Sequence, residues 1–129
     1  MVLLFDNNRA IDSPALAPWQ DEFIGGTPAE LTIGLVNNMP DTALKATERQ
    51  FTRLLSGAAR NVRIRFHCFS LPSVSRSPAA QSHIDKDYSD IAELDRLGID
   101  GLIVTGAEPN APALSNEPFW RDLAGLIEW

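Results

Sequence analysis

Residues able to do nucleophilic or acid–base chemistry are few in this sequence. There is one cysteine, Cys68, and there are two histidines, His67 and His83. Cys68 falls inside a stretch where Val62, Ile64, Phe66 and Cys68 alternate with Arg63, Arg65 and His67. That period of two marks a strand, with Cys68 on its apolar face and His67 beside the arginines on a solvated one. A reactive thiol sits instead at a turn or helix start beside a base, so Cys68 reads as core. His83 lies near Asp85 and Asp87 in a segment rich in Ser, Pro and Ala. The cluster offers too few ligands for a metal, and no metal is expected. The phosphate-binding glycine patterns and the Gly-x-Ser-x-Gly elbow of serine hydrolases are missing from the sequence. One segment needs no side chain to act. Gly106 and Ala107 follow an apolar run, and backbone N–H groups at such a turn can hold a developing oxyanion.

The elements that position these residues follow from the apolar spacing. Residues 31–37 form a short apolar run closed by Asn37, Asn38 and Pro40, as in a strand buried on both faces. Leu44, Thr47, Phe51, Leu54 and Leu55 recur at helical spacing, with Asp41 or Thr42 as cap and Gly57 as stop. The alternating strand over 62–69 has one polar face and is expected near a sheet edge. Residues 70–87 read as a long loop. A short helix follows, with Ile91, Leu94 and Leu97 inward and Gly98 at its end. Residues 99–105 make a third strand. A last helix starts near Pro118 with Asn116 as cap, and turns Phe119, Leu123, Leu126 and Ile127 inward. Residues 1–29 carry Pro14, Pro18, Pro28 and Gly25-Gly26 beside Phe5, Trp19 and Phe23. They read as an irregular arm that packs on something, ahead of a domain over 30–129.

Strands alternating with helices imply a parallel sheet between two helical layers, with ligands held beyond the C-terminal ends of the strands. The chain stops after a helix where a further strand is expected, so the domain reads as cut short. The 129 residues carry 11 basic and 17 acidic side chains, a net charge of −6 that disfavours nucleic-acid binding. No apolar run approaches the ~20 residues of a membrane span. Neither a secretory signal nor a cysteine pair is present, which points to the cytoplasm.

Several pieces together resemble one family. These are Asn38-Met39-Pro40, the run Thr47-Glu48-Arg49-Gln50-Phe51-Thr52-Arg53-Leu54-Leu55, the stretch from Asp100 to Ala107, then Phe119-Trp120 and Ile127-Glu128-Trp129. In order and spacing they are similar to the homoserine O-succinyltransferases and O-acetyltransferases. The resemblance implies a flavodoxin-like, class I glutamine amidotransferase-like α/β domain in three layers, present here up to the nucleophile strand. It implies acyl transfer from succinyl- or acetyl-CoA to homoserine in methionine synthesis, through an acyl-cysteine. The implied cysteine, histidine and glutamate lie beyond Trp129, so none is assigned in this chain and the chain alone is expected to be inactive. Acyl-CoA is a substrate rather than a cofactor, and a homodimer is compatible with the family. Gly106 and Ala107 match the loop beside the oxyanion site. Asn110 matches the position that helps choose the acyl group, where the family commonly has Gly or Glu. Asp41-Thr42 replaces the lysines usual after Met-Pro, with a short insertion before Thr47, and Glu108-Pro109 stands where a Pro usually begins its stretch. These departures leave the donor open. They also leave room for a glutamine amidotransferase-like domain with another substrate, or a non-enzymatic α/β interaction module.

Overall fold

The computed structural model describes residues 3–5, 10–11, 29–59 and 62–129. The strands are β1 (Leu3–Phe5), β2 (Ala10–Ile11), β3 (Ala29–Val36), β4 (Val62–Phe69) and β5 (Gly101–Val104). The helices are α1 (Asp41–Ala58), α2 (Pro78–Asp87), α3 (Leu94–Leu97) and α4 (Trp120–Glu128). One sheet orders the strands β2-β1-β4-β3-β5. β3 is parallel to β4 over eight register pairs and to β5 over four. β1 is parallel to β4, and β2 is antiparallel to β1. This is an α/β fold with a parallel core.

Successive residues of β3 point to opposite faces, and the two helical layers follow from that. Leu35 packs with Ile64, Phe66 and Cys68 under Phe51 and Leu55 of α1. Val36 packs with Phe69, Leu71 and Leu94, and with Phe119 and Leu126 at α4. Gly34 makes room on its face for side chains of the two flanking strands. A Cβ there would stand 2.7 Å from Leu102 Cδ1 and 3.2 Å from Phe69 Cε2. Gly98 ends α3 with φ +63°, a left-handed conformation that favours glycine.

Several expectations are corrected. The arm expected over 1–29 falls largely outside the described residues, but two short strands are present in it. β1 pairs with β4, so β4 is an interior strand between β1 and β3 rather than an edge. His67 is buried, 2% exposed, not solvated. Its strand face is open at Arg63 and Arg65; further along the same face His67 stacks near Phe69, which packs with Leu94, Phe119 and Leu126. The long loop over 70–87 contains α2, whose start was readable from chemistry. Ser77 accepts a hydrogen bond from Ala80 N–H, and Pro78 takes the first helical position, where its missing N–H costs nothing. α1 runs through Gly57 to Ala58 and begins after Pro40 with no side-chain cap. α4 begins at Trp120, and Asn116 belongs to a 3₁₀ turn before it. Leu54 and Ile127 are exposed, on the outer sides of their helices.

Candidate functional site

β3 and β5 are neighbours, yet α1 after β3 covers one face of the sheet and α4 after β5 the other. The chain therefore leaves these two strands toward opposite faces, and in an open sheet the ligand crevice lies at such a switch point.

Two consecutive asparagines build one wall of that crevice. Asn37 is fully buried. Its N–H donates to Phe69 O (2.8 Å), and its Nδ2 donates to Leu44 O and to Tyr88 Oη (3.0 Å each). The Asn38 side-chain oxygen accepts from Leu71 N–H (3.2 Å), tying the β3 loop to the β4 loop. Asn38 N–H donates to Thr105 Oγ1 (2.8 Å), tying it to the β5 loop. Behind them the Arg76 side chain is almost fully buried. It donates to Met39 O (2.5 Å), Asn37 O (2.9 Å) and Ser70 Oγ (3.0 Å), and pairs with Asp41 at 3.3 Å. Asp41 also accepts from Ser77 N–H (2.7 Å). That bond holds the Asp41 carboxyl below its usual range, against some desolvation, with help from the Ser77 and Arg76 side chains.

Thr105 sets the orientation of the next peptide. Its hydroxyl accepts from Asn38 N–H and donates to Gly106 O (3.0 Å). In a trans peptide the N–H points opposite to the C=O, so the Ala107 N–H is turned away from Thr105. Neither the Gly106 nor the Ala107 N–H makes a hydrogen bond among the described residues. Asn110 lies further along the same loop and is exposed, with its Nδ2 on Glu108 O (3.3 Å).

The expected reactive types stand elsewhere. Cys68 is buried, and burial pushes its thiol well above the usual range, with the charges of Glu48 and Asp87 adding to the effect. A thiol buried and held protonated in this way is a poor nucleophile. His83 is on α2. Its Nε2 meets Glu48 Oε2 at 2.9 Å and its Nδ1 meets Asp87 Oδ2 at 3.1 Å. Tyr88 donates to the same Glu48 oxygen (3.1 Å), and burial raises its hydroxyl too. Glu48, His83 and Asp87 line a shallow groove of about 490 Å³ between α1 and α2, apart from the Gly106 loop. Among the described residues no group of three or more His, Cys, Asp or Glu is placed to hold a metal. No described helix is long and apolar enough to cross a membrane. Arg76, Asn37 and Glu48 had no role from sequence. The signal for the first two was a pair of asparagines closing a buried strand, whose amides must be satisfied by something equally buried.

The homoserine O-succinyltransferase family profile matches residues 25–129. The chain belongs to the homoserine O-succinyltransferase family. It is 61% identical over 130 aligned residues to a homoserine O-succinyltransferase of Bradyrhizobium japonicum, and 50% over 135 to one of Rhodopseudomonas palustris. Both alignments cover all of this chain and 40% of the relative. A third, from Thioalkalivibrio nitratireducens, is 44% identical over 99 residues, 77% of this chain and 28% of the relative. The chain thus spans about 40% of the length of the first two relatives. The family match covers β3 through α4, the segment that carries the asparagine wall and the Gly106 loop.

Proposed function

We propose that the full-length protein is a cytoplasmic homoserine O-acyltransferase of methionine synthesis. A cysteine outside these 129 residues takes the acyl group from acyl-CoA and passes it to the homoserine hydroxyl, with no further cofactor. The domain is of the glutamine amidotransferase-like kind. This chain supplies the crevice wall. Its Gly106 and Ala107 N–H groups stabilise the oxyanion, and Asn110 contributes to the choice of acyl group. The observation that carries the reading is the Thr105 hydroxyl, which holds Gly106 O and so turns the Ala107 N–H away from Thr105, leaving it without a hydrogen bond among the described residues.

The test is an assay of the full-length protein with homoserine and either succinyl-CoA or acetyl-CoA, following free CoA and O-acylhomoserine by mass. Turnover is expected with one donor preferred, and Cys68→Ser is expected to leave it intact. No product with either donor rejects the reading, as does loss of turnover in a well-folded Cys68→Ser protein. A second acceptor is favoured by the departures from the family pattern at Glu108 and Asn110. In that case the protein would release CoA with another hydroxyl or amine in place of homoserine.

A further inference from the structure

We propose that Glu117 is a positioning residue that fixes the shape of the Asn110 loop, and through it the acyl selectivity. The inference rests on the acyltransfer reading above.

Glu117 stands between the 3₁₀ turn over Leu114–Asn116 and α4, and it is 4% exposed. Its backbone is fixed at both ends: its N–H donates to Leu114 O (3.1 Å) and its C=O accepts from Trp120 N–H (3.0 Å). The side chain turns back into the loop. One oxygen, Oε1, accepts from the N–H groups of Asn110 (2.5 Å) and Ala111 (2.7 Å). Two consecutive amides converging on one anionic oxygen form a nest, and such bonds to a charged acceptor are among the stronger ones in proteins. The other oxygen, Oε2, is buried with no hydrogen-bond partner, and Glu117 makes no ion pair among the described residues. The described hydrogen bonds of this carboxylate therefore all go to the loop.

The loop has little else to hold it. Glu108, Pro109 and Asn110 are exposed, and so are Pro112 and Ala113. Fixing two successive N–H directions fixes the backbone at Asn110, and with it the direction in which that side chain leaves the loop. A displacement of about 1 Å at such a position is enough to change a rate a hundredfold. Glu117 touches no substrate in this arrangement; it acts through residue 110.

The test compares wild-type, Glu117→Ala and Glu117→Gln full-length proteins by two readouts. The first is amide exchange at Asn110 and Ala111, with Leu35 and Phe66 as internal controls. Glu117→Ala is expected to speed exchange at the two loop amides by about tenfold or more, leaving the controls unchanged. Glu117→Gln keeps an acceptor of the same shape and is expected to fall between, which also covers the case that the alanine protein folds poorly. The second is the ratio of kcat/KM for succinyl-CoA against acetyl-CoA. It is expected to shift by about tenfold in Glu117→Ala and to recover in part in Glu117→Gln. Unchanged loop exchange overturns the proposal. So does an equal loss with both donors, since that marks general damage rather than altered choice. If the wild-type protein uses neither donor, the acyltransfer reading has failed and the selectivity role falls with it; the exchange rates then judge the loop-holding role alone.

Discussion

Arg76 offers the sharpest test of how the crevice wall is held. Its guanidinium side chain is 3% exposed and serves two main-chain carbonyls, Asn37 O and Met39 O, besides Ser70 Oγ and Asp41. Arg76→Met keeps the stem and removes every donor. Asn37 is 0% exposed, so its carbonyl loses the guanidinium in a place water does not reach. An orphaned buried acceptor costs about 1–3 kcal/mol. Met39 is only half-buried and rehydrates in part. Asp41, about a third exposed, adds little. Relief from burying a charge offsets some of the loss. The sum is a destabilisation of about 3 kcal/mol, or a fall in Tm of roughly 10 °C for a domain of this size. Arg76→Lys keeps the charge but offers a point donor instead of a fork, so it should lose about half as much. Urea unfolding followed by circular dichroism measures both. A loss below about 1 kcal/mol in Arg76→Met would refute the idea that the guanidinium fastens this wall.

Two titrations follow from the buried and paired groups. Cys68 holds its proton in the native state, while an unfolded thiol releases it near pH ~8.5. The unfolded state then binds fewer protons, so stability falls as pH rises above that value, by about 1.4 kcal/mol per pH unit. Tyr88 adds the same sign above pH ~10, where an unfolded tyrosine ionises. Cys68→Ala should flatten the decline between pH ~9 and ~10 in denaturant titrations; an identical slope would show that the native thiol ionises normally. Asp41 has the opposite sign. Its folded pKa is depressed, so its contribution is full above the unfolded value near pH ~3.9 and is lost as pH falls through the folded value. Asp41→Asn should make the acid limb shallower, and an unchanged limb would count against the Ser77 bond.

The parallel core was legible because its signals were redundant. The apolar run of β3, the helical stripe of α1 apart from Leu54, and the glycine after α3 each had a local cause that the tertiary structure kept. The errors fell where a residue type says little about its surroundings. His67 alternates with two arginines and so looked wet, yet a strand face is covered or open according to which helix returns over it. The helix α2 was hidden by a composition of Ser, Pro and Ala, although Ser77-Pro78 is a good start signal and alanine a good helix former. At the β5 loop the sequence points to Gly106 and Ala107 because backbone chemistry needs only a turn after a strand, and both N–H groups are without a hydrogen bond among the described residues. Arg76 and Glu117 could not be found this way. Each acts on main-chain groups brought close by folding, and Glu117 reaches back across a 3₁₀ turn to do so.

The unequal ladders of β3 also set an order of assembly. β3 zips to β4 over eight register pairs, and the loop bond between Asn38 and Leu71 closes 33 residues. β5 joins over four pairs, and the clasp of Thr32 N–H on the Asp100 carboxylate closes 68. Doubling the closed length costs only about 0.6 kcal/mol in chain entropy, so the number of pairs decides. The β3–α1–β4 unit is therefore expected to form first, with β5 docking onto it later and carrying the Gly106 loop. By the same reasoning β5 is expected to be the first of these three strands to detach in a partial opening, so the wall that carries the Gly106 loop is the least permanent one.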